Sequence, residues 1–241
     1  MLPIISSNTY RQTLPNDPKL VAWYDATRVL GVNTSNPVDS TALSMVADLS
    51  GNSNHVFQNT GANQPLFKTG IQNSLPAIHF VDSNDVLSTL ILNNIDTATM
   101  YIACVSKPPS TNATKVNYAI ESNSTLQNYY TSSGSVSSQA PLDITNASTV
   151  TVPGYTAVTN LLEHYYQSSV GHFLQLNGGT ASSIAHASAY TMINPILRMG
   201  NNGSFTFGGQ HIMELILYGR MLSASERTIV RNYLNAKWSV Y

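Results

Sequence analysis

Charge is scarce in this chain: of 241 residues only 10 % are Asp, Glu, Lys or Arg, against about 25 % in an ordinary soluble domain. The formal net charge is -1 and no basic cluster stands out, so no nucleic-acid partner is expected. Polarity comes instead from Ser, Thr, Asn and Gln, which predicts a nearly neutral surface rich in hydroxyls and amides, of the kind found on extracellular proteins and virion shells. Cysteine is limited to Cys104, which excludes any disulfide within the chain. It sits in the apolar run Tyr101–Val105 and reads as a small buried hydrophobe. No apolar run is long enough to cross a bilayer, so membrane insertion is not expected. Met1-Leu2-Pro3-Ile4-Ile5 has neither the positive n-region nor the apolar h-region of a signal peptide. The expectation is therefore a protein made in the host cytoplasm and carried outside in a particle released by lysis.

Catalytic patterns are also missing. There is no Gly-x-Ser-x-Gly elbow and no Gly-rich phosphate loop before Lys-Ser or Lys-Thr, and the carboxylates are too scattered to mark an acid/base pair. Asp82-Ser83-Asn84-Asp85 offers oxygen ligands but lacks the Gly and distal Glu of a calcium loop, and reads as an Asx-type turn. His211 and Glu214, three apart on an expected strand, should point to opposite faces and so not share an ion. His164 and His172 lie on separate runs with no sign that they meet. Sequons such as Asn33-Thr34-Ser35 and Asn123-Ser124-Thr125 follow from the Asn/Ser/Thr-rich composition alone. No enzyme activity and no cofactor are expected, with Asp48 and nearby carbonyls the one candidate calcium site.

What is present is a succession of short strand-like runs separated by turns. They are Leu20–Asp25, Met45–Asp48, His55–Gln58, Ala77–Phe80, Val86–Leu92, Met100–Val105, Val116–Ile120, Leu126–Thr131, Ser148–Val152, Leu161–Gln167, His172–Leu176, Ile196–Met199, Phe205–Phe207 and Ile212–Tyr218. Period-two alternation supports them: His172, Leu174 and Leu176 should share one face. Turn signals such as Ser50-Gly51-Asn52, Asn177-Gly178-Gly179, Gly200-Asn201-Asn202-Gly203 and Gly208-Gly209 fall between. One helix closes the chain. Ser223 and Glu226 form a capping box, and Ile229, Val230, Tyr233, Leu234 and Trp238 recur at helical spacing. These features predict an all-β, antiparallel β-sandwich with one C-terminal α-helix packed on it. Residues 1–18, ending in Pro15-Asn16-Asp17-Pro18, read as an N-terminal arm for a neighbour or as a strand folded back on its own sandwich. Residues 19–241 form the domain, with Thr131–Gln139 expected as a long loop.

Two segments carry a family resemblance. The first is Leu20-Val21-Ala22-Trp23-Tyr24-Asp25-Ala26, then Val46-Ala47-Asp48-Leu49-Ser50-Gly51-Asn52-Ser53-Asn54, Gln64-Pro65 and Pro76-Ala77-Ile78-His79-Phe80. The second is Glu214-Leu215-Ile216-Leu217-Tyr218-Gly219-Arg220-Met221-Leu222-Ser223, with Glu226-Arg227 and Tyr233-Leu234-Asn235-Ala236-Lys237-Trp238. Together they resemble the LamG-like members of the concanavalin A-like lectin/glucanase superfamily, which implies a jelly roll. Such modules occur in bacterial surface proteins and in bacteriophage tail, fibre and capsid-associated proteins. Retaining glycosidases of that superfamily carry a Glu-x-Asp-x-Glu run, and none exists here.

The resemblance implies a non-enzymatic phage virion protein: a capsid decoration, head fibre or tail-associated adhesin, with host-surface glycans as ligands. Other virion proteins would be its partners through the arm, and a homo-oligomer would be its state. A carbohydrate-binding module of a secreted bacterial protein is the alternative, and a glycan-cleaving enzyme a third. The motif residues themselves read as structural. Trp23 is core, while Asp25 and Asp48 accept backbone amides around Gly51 and Asn54. Tyr129-Tyr130 and Tyr165-Tyr166 are the candidate binding residues, each pair presenting one ring inward and one outward. The loops of about residues 107–160 are where binding is expected.

Overall fold

The computed structural model describes residues 17–109, 114–122, 125–131, 133–141, 147–155, 157–186, 191–200 and 208–241. The first strands are β1 (Leu20–Asp25), β2 (Met45–Val46), β3 (Val56–Phe57), β4 (Leu66–Gln72), β5 (Leu75–Phe80) and β6 (Val86–Ser88). Next come β7 (Thr99–Lys107), β8 (Lys115–Glu121), β9 (Thr125–Tyr130), β10 (Ser135–Pro141) and β11 (Ala147–Pro153). Last are β12 (Asn160–Gln167), β13 (Gly171–Leu176), β14 (Ser182–Ala185), β15 (Ile196–Gly200) and β16 (Gln210–Tyr218), then the helix α1 (Ala224–Trp238).

Two antiparallel sheets form a sandwich. The first runs β14-β13-β12-β7-β16-β5-β4, and the second β11-β10-β9-β8-β15-β6-β3-β2. Long β16 divides one flank between two neighbours: Gln210–Ile212 pair with β5, and Glu214–Tyr218 pair with β1. Between the sheets lie Ile102, Cys104, Leu215 and Leu217 against Tyr118, Ile120, Leu126 and Leu197, all buried. Each such side chain contributes roughly 2 kcal/mol on leaving water. Burial pushes the Cys104 thiol up to about 12, so it is an inert part of this core. His172, Leu174 and Leu176 do share a face, the first two fully buried.

Helix α1 packs across β7 and β12 on the outer face of the first sheet. Its capping box is formed as expected: Ser223 Oγ accepts from Glu226 N at 3.3 Å, and Glu226 Oε2 accepts from Ser223 N at 2.8 Å. The buried face is Val230, Tyr233, Leu234, Lys237 and Trp238. Ile229 belongs to the expected apolar stripe but is 45 % exposed.

Four expectations need correction. Thr131–Gln139 is not a long loop, because Ser135–Pro141 form β10, with Val136, Ser138 and Ala140 fully buried on one face and Ser135, Ser137 and Gln139 on the other, where Ser137 is buried too. The period is two, but in small residues with little hydropathy contrast. Val86–Leu92 is strand only to Ser88, since Thr89 exchanges two hydrogen bonds with Leu197 and the chain then leaves the sheet. His211 and Glu214 do not point to opposite faces. A bulge at Met213 pairs them with Lys107 and Val105, two residues apart on β7 and therefore on one face. His164 and His172 do meet, with ring centroids 5.7 Å apart. The expected strand Phe205–Phe207, the turn residues 201–203, Asn123, Ser124 and all of the arm but Asp17 and Pro18 lie outside the described residues. Asp17 itself is bonded to this sandwich, its carboxylate pairing with Arg220 and accepting from Lys19 N.

Candidate functional site

The two segments quoted from the ends of the chain converge beneath α1. Register sets Asp25 of β1 opposite Glu214 of β16, and Lys237 of α1 lies between them, its Nζ 2.7 Å from Asp25 Oδ2 and 2.8 Å from Glu214 Oε2. Glu214 also accepts from Trp23 Nε1, Tyr233 Oη and Trp238 Nε1, each at 2.7 Å. Arg28 pairs with Asp25 at 3.1 Å and covers the Trp23 ring. Burial raises the Glu214 carboxyl above its usual range despite Lys237. Burial also works on Asp25, but the Lys237 and Arg28 cations hold it below its usual value. Every member is closed off from water, with Glu214 1 % exposed. A substrate could not reach these carboxylates, so the cluster welds helix to sheet and has no route to glycan hydrolysis.

Asp48 organises the adjoining turn. Its carboxylate accepts from Trp23 N, Ser50 N, Ser50 Oγ and Asn54 N at 2.7–3.0 Å. Four donors fill the four lone-pair positions of a carboxylate, so Asp48 offers no coordination site to calcium. Gly51 takes φ +96° in this turn, a conformation that favours glycine. Asn54 then passes the order outward: its side chain donates to Val21 O at 2.8 Å and accepts from Asn93 N at 2.8 Å.

Of the tyrosine pairs, Tyr130 faces the core and bonds Ser106, while Tyr129 is half-buried on the outer face. The Tyr165-Tyr166 pair departs from expectation because neither ring is exposed. Tyr166 points inward. Tyr165 points outward, but beneath α1, stacked on Phe173 at 4.9 Å with the Arg227 guanidinium 4.7 Å above it.

Asn93 leads to a concave site missing from the sequence reading. At one end of the sandwich, Lys19, the β6–β7 connection and residues 191–195 line an open cleft of about 420 Å³. Its walls are tied together. Met192 N donates to Thr97 Oγ1 at 3.0 Å, and Thr97 Oγ1 donates to Met192 O at 3.2 Å. Leu92 N donates to Pro195 O at 2.8 Å, and Ile193 N to Ser122 Oγ at 2.9 Å. Asn94 and Asn194 sit at φ +59° and +49°, the left-handed turn region that Asn tolerates. The lining of the cleft includes the ionisable residues Lys19 and Asp96, the amides Asn94 and Asn194, and apolar Ile91, Ile95 and Met192. Leu90 and Ile193, flanking these lining residues, are 85 % and 67 % exposed. The cleft belongs to segments 89–98 and 191–195, not to residues 107–160, whose described part is mostly strand.

No family model and no curated protein sequence matches this chain. Among solved structures, it is similar in fold to toxin binding domains. It is similar to the botulinum neurotoxin serotype D binding domain, at 13 % identity and TM-score 0.64, over 89 % of this chain and 50 % of that one. The serotype D ligand binding domain in complex with N-acetylneuraminic acid matches at 15 % identity and TM-score 0.64, with the same coverage. The binding domain of Paraclostridial Mosquitocidal Protein 1 matches at 11 % and 0.64, over 90 % and 52 %. At these identities the likeness is one of fold, and the chain spans about half the length of each neighbour.

Proposed function

We propose that this chain is a non-enzymatic recognition module that holds a cell-surface glycan in the end cleft. The observation that carries this reading is the cleft itself: an open concavity with tied walls, whose lining sets Lys19, Asp96, Asn94 and Thr191 beside Ile91 and Ile95. Sugars present hydroxyls at their rims and C–H groups on their faces, and a cleft lined by polar side chains beside a few aliphatic ones can meet both. The structural neighbours are named as binding domains, one of them in complex with a sugar, which supports the reading. The sealed Asp25–Glu214 pair argues against the glycan-cleaving alternative.

A glycan array followed by titration calorimetry tests the proposal. A bound glycan should lose roughly tenfold in affinity with Lys19→Ala or Asn94→Ala, one good polar contact being worth about 1.5 kcal/mol. No binding to any glycan, or cleft variants that bind like the parent, would overturn it.

The finer reading is a homo-oligomeric bacteriophage virion component, such as a capsid decoration, head fibre or tail-associated adhesin, joined to other virion proteins through residues 1–18. The low charge, the hydroxyl-rich composition and the LamG-like segments support it. Capsid, portal and terminase genes beside this one, and the chain itself in purified particles, are the expected results. A monomer absent from particles would favour a carbohydrate-binding module of a secreted bacterial protein.

A further inference from the structure

The end of the first sheet opposite the cleft gathers positive charge. Register aligns Leu66 of β4, His79 of β5, His211 of β16 and Lys107 of β7 in one row across four strands. Lys68, two residues beyond Leu66, lies on the same face. That face is the outer one, because Phe67, Ile78 and Phe80, which alternate with these residues, are buried in the core. Four basic side chains, all half-buried, thus share one patch of a chain with only 11 Lys and Arg and 6 His.

The His79 and His211 rings stack with centroids 4.1 Å apart and planes 7° from parallel. His211 Nδ1 is buried and has no hydrogen-bond partner among the described residues. The Lys107 ammonium forms no ion pair among the described residues either. Two carboxylates stand nearby, and both are engaged. Asp39 accepts from Lys68 Nζ at 3.1 Å and from Thr69 N at 2.8 Å. Asp85 accepts from Val81 N at 2.7 Å and Asp82 N at 3.1 Å. Its charge acts on His79, whereas the charges acting on His211 are those of His79, Lys107 and Lys68.

Like charges set opposite one another across strands are destabilising. An anion seated among the four groups turns that repulsion into attraction. A metal ion does not suit the place. The lysines repel it, and an imidazole ligates through a ring lone pair, close to the plane of its ring. Two stacked, nearly parallel planes share no point where one ion could sit. An oxyanion presents several oxygens, and can set one near each ring while the ammonium groups neutralise its charge.

We propose that His79, His211, Lys107 and Lys68 form a binding site for a tetrahedral oxyanion, a sulfate or phosphate group that is free or esterified to a sugar. The site responds to pH in a stated direction. Burial, then His79, Lys107 and Lys68, lowers His211 from 6.5 to about 4, and burial, then Lys68, lowers His79. Both rings are therefore neutral at pH 7.5. An anion that restores His211 to its ordinary 6.5 makes binding take up a proton below that value. Affinity then rises about tenfold from pH 7.5 to 5.5.

Imidazole NMR of the nitrogen-15-labelled full chain is the test, with sodium sulfate titrated against sodium chloride at matched ionic strength. The His79 and His211 signals should shift saturably with sulfate alone, at about tenfold lower Kd at pH 5.5 than at pH 7.5. Lys107→Gln and His211→Gln should each weaken binding at least about fivefold, with the amide spectrum reporting that the fold is intact. N-acetylglucosamine 6-sulfate forms the second arm: tighter binding than free sulfate marks a sugar-borne group, weaker binding a free anion. Equal shifts in chloride and sulfate, a Kd independent of pH, or undiminished binding by Lys107→Gln would overturn the site. It does not rest on the end cleft, which lies at the other end of β7, roughly 25 Å away at the rise of a strand. Failure of either proposal leaves the other standing.

Discussion

The helix-covered face and the β13–β14 edge bury polar groups by opposite means. Under α1 the groups are ionised and paired: one lysine between two carboxylates, each carboxylate with further donors. At the edge the groups are imidazoles joined by a hydrogen bond, and burial disfavours their charged form. A buried ion cluster is intolerant of losing one member, because the remainder is then charged and unpaired. A buried neutral cluster is intolerant of gaining a proton. One region should therefore answer to mutation and the other to pH.

Removing the cation should produce the largest effect. Lys237→Met leaves Asp25 and Glu214 facing each other in a closed space, and should destabilise the fold by about 3–5 kcal/mol in urea unfolding. Adding Glu214→Gln should recover part of that loss, since one charge is then gone. If Lys237→Met were near neutral, the face would be held by Trp238 and Leu234 packing alone, and the contrast with the edge would disappear.

Asp48→Ala comes next, at roughly 2–4 kcal/mol for a carboxylate whose four backbone and hydroxyl donors are left without an acceptor. This variant should also weaken glycan binding, because Asn54 N is one of those donors and Asn54 fixes Asn93 beside the cleft. Stability loss with binding intact would separate the turn from the site.

The pH expectation sharpens the same comparison. Stability should decline by roughly 2 kcal/mol between pH 7.5 and 5 through His172 alone, in the window where the depressed imidazole binds protons only when released. Asp25, held below 3.8, keeps its contribution until pH falls beneath that value. Glu214, raised above 4.5, takes up its proton more readily when folded and so opposes acid unfolding. The helix face should therefore outlast the edge on acidification, read as separate exchange protection of 212–238 and 171–186.

How much of this was legible in the sequence differs between the regions for a physical reason. β1, β16 and α1 announce themselves locally, through short apolar runs and a Ser223–Glu226 capping box, and the fold followed from them. The bond between Glu214 and Lys237 did not, because the bulge at Met213 that turns His211 and Glu214 to one face has no turn residue to mark it. Strands β10 and β14 escaped notice because hydroxyl residues occupy both of their faces. Tyr165 illustrates a further limit: period two places it outward correctly, but no local pattern tells that α1 lies on that side.

The cleft was invisible for yet another reason, since three distant segments contribute to it and none is periodic. It also supplies the smallest expected change in stability. Leu90 and Ile193 are exposed, so Leu90→Ser and Ile193→Ser should alter unfolding by no more than about 0.5 kcal/mol. Glycan affinity should nonetheless fall, because these exposed apolar side chains adjoin the lining residues Ile91 and Met192 in the chain and add apolar surface beside the cleft. Motif residues such as Trp23, Asp48 and Trp238 would then govern folding, while residues outside every motif govern recognition. Loss of stability with Ile193→Ser would instead mean that the 191–195 segment is propped by its own apolar packing, and that the cleft is a by-product of the core.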